Sequence, residues 1–413
     1  SGRKFWLAYH LDPAGTIIVD DGAARALTVK GKSLLAAGIA EVDAYSTPLG
    51  QVPLDLEGME AGKFVAIAAD GLSPDNAAKL GALARRLGRK VQEGAAGLNP
   101  SDVVCAGTPS RERFLAIQEM VGADAGIGVH TSAPGADLPV DVGRVHYRGV
   151  RLVGSTDGGV RAAYLDNPRE ALKPGGKAWF VGGAGPMGTM HVIKAIMDEQ
   201  GPSTVLVTDM SDERLANLAH LVSILAKNGG RKVALTVRNA KAVAPADLET
   251  FGGFDDVVGL VPVPAIITDA SRWLAAQGVY NVFAGVKVGT IADLPLEPIV
   301  MGKVRITGSS GSPLSAMRDT LALTESGRLA TALSLAAVGD MASAERGLQA
   351  LIDNTYAGKV VIFPFADGLG LRSIAELSRD LADIAPLLLD GQYWTNTAEA
   401  AFLGSACFTG RSG

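Results

Sequence analysis

Residues 177–188 read KAWFVGGAGPMG, and the run from 189 to 198 after them has the composition of a helix. The first five residues predict a buried strand. Gly183, Gly185 and Gly188 form a G-x-G-x-x-G pattern between strand and helix, which is the context in which this pattern binds a diphosphate. The first glycine permits a sharp turn, the second lets the backbone approach the pyrophosphate, and the third lets the helix pack on the strand.

A second strand is predicted over residues 203–208, and it ends at Asp209, 21 residues past Gly188 (209 minus 188). A carboxylate at this position accepts hydrogen bonds from the adenosine ribose hydroxyls and repels a 2′-phosphate. The pattern therefore favours NAD(H) over NADP(H). Arg214 leaves an alternative open, because its side chain could turn toward a phosphate. Ser211 is a typical N-cap for the next helix, whose predicted buried stripe is Leu215, Leu218, Val222 and Leu225.

Part of the sequence occurs twice. Asp102-Val103-Val104 returns as Asp256-Val257-Val258, 154 residues later, and Val150–Ser155 returns as Val304–Ser309 at the same offset. The segment from Ala136 to Val140 returns from Ala292, 156 residues later. Three matches in order predict two copies of a βαβ half-domain. The alternative is that strands of α/β proteins resemble one another.

The first copy lacks the glycine loop. Residues 63–69 predict a strand and residues 74–86 a helix, but Asp70-Gly71-Leu72-Ser73-Pro74 between them has one glycine and an acid that would face a phosphate. We expect a degenerate copy that holds no nucleotide and shapes the substrate site or a subunit contact.

Composition excludes several classes of protein. The 413-residue chain has a formal net charge of −5 and no cluster of Lys and Arg, which argues against a nucleic-acid partner. Cys105 and Cys407, the only two cysteines, form no CxxC pair, so a disulfide scaffold is not expected. We expect a cytoplasmic location. Residues 1–20 show no signal peptide, and no apolar run is long enough for a membrane span.

The first 50 residues resemble the start of the PUA-like domain of bacterial glutamate kinases. The residues that carry this likeness are 3–6, 11–16 and 31–38. The resemblance implies a small β-barrel. PUA modules elsewhere bind RNA, but the acidic balance of this chain favours a scaffold or interface role.

Residues 170–365 resemble the medium-chain dehydrogenase/reductase superfamily, and within it sorbose phosphate reductase and related sugar or polyol dehydrogenases. The matching stretches are 173–176, 184–188, 209, 212–215, 253–257, 281–285, 308–311 and 317–327. By position, the resemblance assigns the cofactor contacts to the three glycines with Pro186 and Met187, to Asp209, Met210 and Arg214, and to Val261, Pro262, Phe283, Ala284 and Gly285.

The chain departs from that family at its start, where the zinc-binding GroES-like domain is normally found. Five scattered histidines and two cysteines give no zinc set at plausible spacing, so no metal site is expected. A side chain must then polarise the carbonyl and move the proton. The candidates are His130, His146 and Tyr147, although a structural role for the His-Tyr pair and a surface position for His130 are the simpler interpretations.

Together these features predict an α/β fold with a Rossmann-type doubly wound parallel sheet. The predicted segments are a β-rich region (1–60), the degenerate copy (61–168), the NAD-binding domain (169–312) and a helical region with one strand (313–413). The predicted function is a zinc-independent NAD(H)-dependent oxidoreductase for a sugar, polyol or related small alcohol or carbonyl compound. The alternative is a non-catalytic NAD-binding or sensor protein. A homo-oligomer, joined through the last sheet strands near Val304–Thr307, is also expected.

Overall fold

The computed structural model describes residues 3–6, 16–19, 26–29, 41–44, 90–93, 102–106, 111–121, 123, 126–130, 134–156, 169, 171–228, 231–353 and 355–405. The predicted strand and helix over residues 63–86 lie outside these ranges. The chain divides into two compact units. Unit 1 comprises residues 1–173, 177–179 and 245–311, and unit 2 comprises residues 174–176, 180–244 and 312–413.

The strands of the described residues alternate with helices along most of the chain. The strands are β1 Arg3–Trp6, β2 Thr16–Val19, β3 Ala26–Val29, β4 Glu41–Ala44, β5 Lys90–Glu93, β6 Asp102–Ala106, β7 Gly126–His130, β8 Leu138–Asp141, β9 Arg151–Ser155, β10 Lys177–Val181, β11 Thr204–Asp209, β12 Ala234–Asn239, β13 Phe254–Gly259, β14 Leu274–Val282, β15 Ile291–Leu294, β16 Arg305–Thr307, β17 Leu335–Asp340, β18 Lys359–Phe363 and β19 Arg372–Ser373.

The α-helices in the same ranges are numbered in chain order. They are α1 Arg111–Met120, α2 Val142–Arg148, α3 Pro186–Met197, α4 Asp212–Lys227, α5 Pro245–Glu249, α6 Pro264–Ser271, α7 Leu296–Val300, α8 Leu314–Glu325, α9 Ala344–Ile352, α10 Ile374–Asp380 and α11 Asn396–Leu403. None of the helices in the described part of the chain combines the length and the apolar character that a membrane crossing requires.

Unit 1 contains a sheet with the strand order β10-β13-β14-β16-β9-β7-β6-β3. The pairs β13·β14 and β14·β16 are parallel, and so are β6·β7 and β7·β9. The two parallel sets meet at β9 and β16, which run antiparallel to each other. Both copies of the repeat found in the sequence therefore form parallel strands of one sheet.

Unit 2 contains the strand order β12-β11-β10 and a smaller sheet in which β17 lies between β18 and β19. We number β10, β11 and β12 as the first to third strands, and β13, β14 and β16 as the fourth to sixth. The strand order is then 3-2-1-4-5-6, which is the Rossmann order. The predicted fold class, α/β with a Rossmann-type sheet, is confirmed.

Strand β10 and helix α4 form where the apolar pattern predicts them. Ala178 to Val181 are all buried, as expected of a central parallel strand covered on both faces. The four predicted stripe residues of α4, Leu215, Leu218, Val222 and Leu225, are buried as well. Ser211 caps α4 by accepting a hydrogen bond from the Arg214 N–H.

The segment 313–413 holds more strands than the sequence predicts. Lys359–Phe363 is a strand as expected, but β17 and β19 are strands as well. Strand β17 reads LAAVGD, and alanine and glycine are poor strand formers, so local propensity misses it. Its stability comes from pairing with β18 and β19 and from a core that includes Val338, Leu377, Trp394 and Phe402.

Candidate functional site

The loop that follows β10 turns at Gly182. This residue has φ +74°, and its N–H donates to the Thr208 carbonyl oxygen at 2.7 Å. The Gly183 N–H donates to the same oxygen at 3.1 Å. The sequence analysis assigned the sharp turn to Gly183, whereas the left-handed backbone is at Gly182, which only a glycine adopts without cost.

Close packing requires Gly183 and Gly188. A Cβ atom on Gly183 would lie 2.6 Å from Phe180 Cβ, and one on Gly188 would lie 2.4 Å from the Gly183 carbonyl oxygen. Both distances are shorter than atoms allow. These two glycines hold β10, the loop and α3 together, which agrees with the predicted packing role of the third glycine.

Gly185 is different, because the protein itself leaves room for a side chain there. The nearest atom to a Cβ at Gly185 would be the Gly182 carbonyl oxygen, 3.9 Å away. Its φ of −72° and ψ of 172° suit any residue. Neither packing nor backbone strain calls for glycine at this position. The open space is a cradle that a Cβ would partly fill.

Helix α3 begins immediately after this space. Gly185 is its N-cap and Pro186 its first residue, and no side chain among the described residues caps this end. The N-terminus of a helix carries a partial positive charge and attracts anions. The loop therefore combines space and favourable electrostatics for a phosphate group.

Asp209 lies at the carboxyl end of β11 and is tied to the loop. One carboxylate oxygen accepts a hydrogen bond from the Ala184 N–H at 3.2 Å, and the other accepts from the Ser211 N–H at 3.1 Å. Each oxygen retains a second lone-pair direction. A carboxylate fixed in this way can accept hydrogen bonds from the two hydroxyls of a ribose.

A cavity of about 290 Å³ lies beside the N-terminal end of α4. It is lined by Ser211, Glu213, Arg214, Thr355 and Ala357. The sequence-predicted Arg214 thus borders this cavity, whereas Met210 is exposed at the surface. Sequence reasoning did not find Thr355 and Ala357, because they lie more than a hundred residues further along the chain and no local pattern marks them.

The side chain of Lys359 contacts Met187 in the first turn of α3. The Lys359 Nζ atom lies 3.0 Å from the Met187 Sδ atom. His191 bonds through Nδ1 to the Met187 carbonyl oxygen at 2.8 Å. Burial lowers the pKa of His191; the hydrogen bond to the Met187 carbonyl oxygen opposes this shift, and the charges of Lys194 and Lys359 add to it. The ring is therefore neutral at pH 7, and Lys359, which the sequence analysis missed, supplies the positive charge here.

In unit 1, the other predicted cofactor residues lie at the carboxyl ends of parallel strands. Val261 and Pro262 follow β13, and residues 283–285 follow β14. The N–H groups of Phe283 and Ala284 both donate to the Gly259 carbonyl oxygen, at 3.1 and 2.8 Å. The loop after β14 is thereby fixed to the end of β13. Ligands bind at this end of the strands in open α/β sheets.

The candidate residues His146 and Tyr147 have different environments. His146 is buried, and its Nδ1 donates to the Val282 carbonyl oxygen at 3.1 Å. Tyr147 is 50% exposed and packs edge-on against the His146 ring, 4.6 Å between centroids. Its Oη lies 3.0 Å from where a Cβ of Gly285 would be. His146 is thus a buried hydrogen-bond donor, and the hydroxyl of Tyr147 lies beside the loop that follows β14. The side chain of His130 lies outside the described part of the chain.

Among the described residues, no group of three or more His, Cys, Asp or Glu side chains is placed so that it could hold a metal ion.

Comparison with protein-family models gives no match for this chain. The curated proteins give partial matches. The chain is 30% identical over 186 residues to the uncharacterised protein YggP of Escherichia coli strain K12, a match that covers 43% of each chain. It is 26% identical over 245 residues to mannitol-1-phosphate 5-dehydrogenase of Aliivibrio fischeri, covering 56% of this chain and 57% of that protein. The chain thus spans about half the length of these relatives.

A third curated relative matches only a short segment. Glutamate 5-kinase of Maridesulfovibrio salexigens is 67% identical over 43 residues, which is 10% of this chain and 11% of the kinase. This N-terminal match agrees with the resemblance that the sequence analysis found in the first 50 residues.

Solved structures of alcohol and polyol dehydrogenases align with about half of the chain. L-idonate 5-dehydrogenase of Escherichia coli is 19% identical, with a TM-score of 0.39 over 49% of this chain and 54% of that structure. 2R,3R-butanediol dehydrogenase of Bacillus subtilis is 20% identical, also with a TM-score of 0.39, over 49% of this chain and 55% of that structure.

Proposed function

We propose that this protein binds NAD(H) at the loop between β10 and α3 and acts as an oxidoreductase on a sugar, polyol or related small alcohol or carbonyl compound. The observation that carries the proposal is the open space at Gly185, between two glycines that packing demands. A glycine that the fold does not need, at the N-terminus of a helix, is accounted for by a diphosphate that approaches the backbone there.

Asp209 supports a dinucleotide with an unmodified adenosine ribose. Its carboxylate is held by two N–H groups and keeps acceptor capacity on both oxygens. A 2′-phosphate at the same place would meet this negative charge, which favours NAD(H) over NADP(H). Arg214 at the neighbouring cavity is the group that would oppose this preference.

The bound coenzyme would supply or accept a hydride at the nicotinamide. The substrate class is inferred from the resemblance of residues 170–365 to sugar and polyol dehydrogenases, and the match to a mannitol-1-phosphate 5-dehydrogenase supports it. We propose that the reaction does not use zinc and that Tyr147 holds or moves the substrate proton. Tyr147 is the candidate with a half-exposed hydroxyl beside the loop after β14.

Calorimetric titration with NADH and NADPH tests the binding site. We expect NADH to bind the wild-type protein more tightly than NADPH, and we expect Gly185→Val to weaken NADH binding at least tenfold without lowering the melting temperature. Gly404→Val is a matched control, because Gly404 has φ −83° and its Cβ would meet nothing closer than 3.5 Å. Equal NADH affinity in wild type and Gly185→Val would refute this site.

Turnover is tested separately with a panel of sugars, polyols and their phosphates, followed at the absorbance of NADH. We expect turnover to persist after metal chelation and Tyr147→Phe to lower kcat at least tenfold while the Kd for NADH changes less than twofold. Loss of activity on chelation, restored by Zn²⁺, would contradict the zinc-independent reaction. NADH binding without turnover of any compound would favour the alternative, a non-catalytic NAD-binding or sensor protein.

A further inference from the structure

Equivalent residues of the two sequence copies face each other at the centre of the unit 1 sheet. Leu152 of β9 is the direct partner of Ile306 of β16 in an antiparallel pair. These residues are 154 positions apart (306 minus 152), which is the offset at which the sequence repeats. Equivalent positions that pair with one another lie on a twofold axis that relates the copies.

A second antiparallel pair has the same property. Leu138 of β8 pairs with Leu294 of β15, 156 positions later (294 minus 138), which is the offset of the repeated segments that contain them. Both leucines are buried. Both strand pairs thus place equivalent residues of the two copies opposite each other, as a twofold relation requires.

The helices of the two copies pack reciprocally across this relation. A Cβ on Gly154 of β9 would lie 3.0 Å from the Ile299 carbonyl oxygen of α7. A Cβ on Gly308, just after β16, would lie 3.0 Å from the Val145 carbonyl oxygen of α2. Both the two glycines and the two helix residues are 154 positions apart (308 minus 154 and 299 minus 145). In each copy, therefore, a glycine at the equivalent position allows the helix of the other copy to pack closely.

Two ion pairs at the periphery also connect the copies. Arg111 of the first copy forms an ion pair with Asp293 of the second, and Arg272 of the second forms one with Asp137 of the first. The two aspartates are equivalent in the repeat (293 minus 137 is 156). The arginines are not equivalent in the repeat, so it is the strand pairing and the helix packing that agree with a dimer of copies, and the ion pairs add contacts between the copies.

We propose that the first copy is a built-in partner for the second, so that unit 1 is an internal dimer made by one chain. The edge of β16 near Val304–Thr307, where the sequence analysis expects two chains to join, is paired with β9 of the same chain. A strand edge that is already paired offers no free backbone groups to another chain. The first copy thus has a defined role although it lacks the glycine loop, and this role does not depend on the proposed cofactor.

Disulfide trapping tests the internal dimer. Directly opposed residues of an antiparallel pair have Cα atoms about 4.5–5.5 Å apart, within the range of a disulfide. We expect Leu152→Cys/Ile306→Cys, oxidised at micromolar concentration, to form a disulfide within one chain. The product would run as a monomer on a non-reducing gel, and peptide mass spectrometry would show residues 152 and 306 linked. The two single variants control for Cys105 and Cys407.

A second pair guards against misfolding, because Leu152 and Ile306 are both buried. Val140→Cys/Ala292→Cys changes smaller side chains and reports on the β8·β15 pair, in which these residues are direct partners. The same intrachain disulfide is expected. If either pair links two chains, or if neither pair forms a disulfide in folded protein, the internal dimer is wrong.

An equimolar mixture of the single variants Leu152→Cys and Ile306→Cys gives an independent check. In this mixture the two new cysteines are on different molecules. If unit 1 is an internal dimer, β9 and β16 of each molecule pair with one another and shield its new cysteine, so oxidation should yield no mixed dimer. A mixed dimer linked through residues 152 and 306 would show that these strands pair between chains and would overturn the proposal.

Discussion

The two copies in unit 1 have equivalent strands and an equivalent contact face but differ in chemistry at two neighbouring helix positions. In the first copy, α2 carries His146 and Tyr147; 154 residues later the second copy has Val300 and Met301. His146 and Val300 are both buried, and Tyr147 and Met301 are both largely exposed. The burial pattern is the same in the two copies, whereas the polar side chains at these positions occur in the first copy and are replaced by apolar ones in the second. Packing constrains the contact face, and the groups available for chemistry vary around it.

The comparison extends to the loops. In the sequence, the glycine pattern precedes the second copy and is missing from residues 70–74, the corresponding place in the first copy. Two glycines of the pattern are required by packing, whereas Gly185 is not. This difference separates residues that maintain the fold from residues that serve a ligand. Variants at matched positions test this distinction.

The largest effect is expected at Gly188. Gly188→Ala places a Cβ 2.4 Å from the Gly183 backbone, which must move. We expect the free energy of unfolding to fall by about 3 kcal/mol, the upper part of the usual range for overpacking, and NADH binding to be lost with it. Urea unfolding and NADH titration measure the two effects. A stable Gly188→Ala protein that binds NADH normally would contradict the packing role.

The internal twofold predicts similar costs at equivalent glycines of the two copies. Gly154→Ala and Gly308→Ala should each lower the free energy of unfolding by about 2 kcal/mol, because each Cβ meets backbone of the opposite copy. Gly308→Ala should cost the more, since its Cβ would also lie 2.8 Å from the Val282 carbonyl oxygen. Urea unfolding monitored by circular dichroism checks both. A cost at one site alone would mean that the copies do not pack reciprocally.

A smaller effect on coenzyme choice is expected at Asp209. Asp209→Asn removes the charge and turns one acceptor into a donor, so NADH should bind about tenfold more weakly, roughly 1.4 kcal/mol. NADPH should lose less or gain, because the repulsion of the 2′-phosphate is removed. Parallel titrations with both coenzymes give the ratio. An unchanged ratio would remove Asp209 from the ribose site.

The smallest effects are expected at the two ion pairs that connect the copies. Arg111→Gln and Arg272→Gln should each lower the free energy of unfolding by about 0.5 kcal/mol or less, since the side chains are half-exposed and water screens them. The losses should shrink in 0.5 M salt. Thermal melts at two salt concentrations measure this, and a salt-independent loss would point to packing by the arginine stems instead of charge.

The local pattern of the sequence was sufficient for β10, the glycine loop, α3 and the buried stripe of α4. A 3.6-residue apolar period and a glycine pattern act through neighbours a few residues apart, so they can be read from the chain directly. The strand β17 was missed because its alanines and glycine owe their conformation to β18 and β19. Lys359, Thr355 and Ala357 were missed for the same reason. No local sequence pattern shows that Lys359 contacts Met187 or that Thr355 and Ala357 line the same cavity as Arg214.

The amino-acid sequence was enough to predict the repeat and its offsets, the Rossmann-type half and the acid at the end of β11, because each depends on residue type at short or fixed spacing. The tertiary structure alone decided that the copies pair with each other, that Gly182 makes the turn, and that Gly185 faces open space. Those properties depend on which atoms meet across distant segments, and a linear pattern carries no information about the empty volume beside a backbone atom.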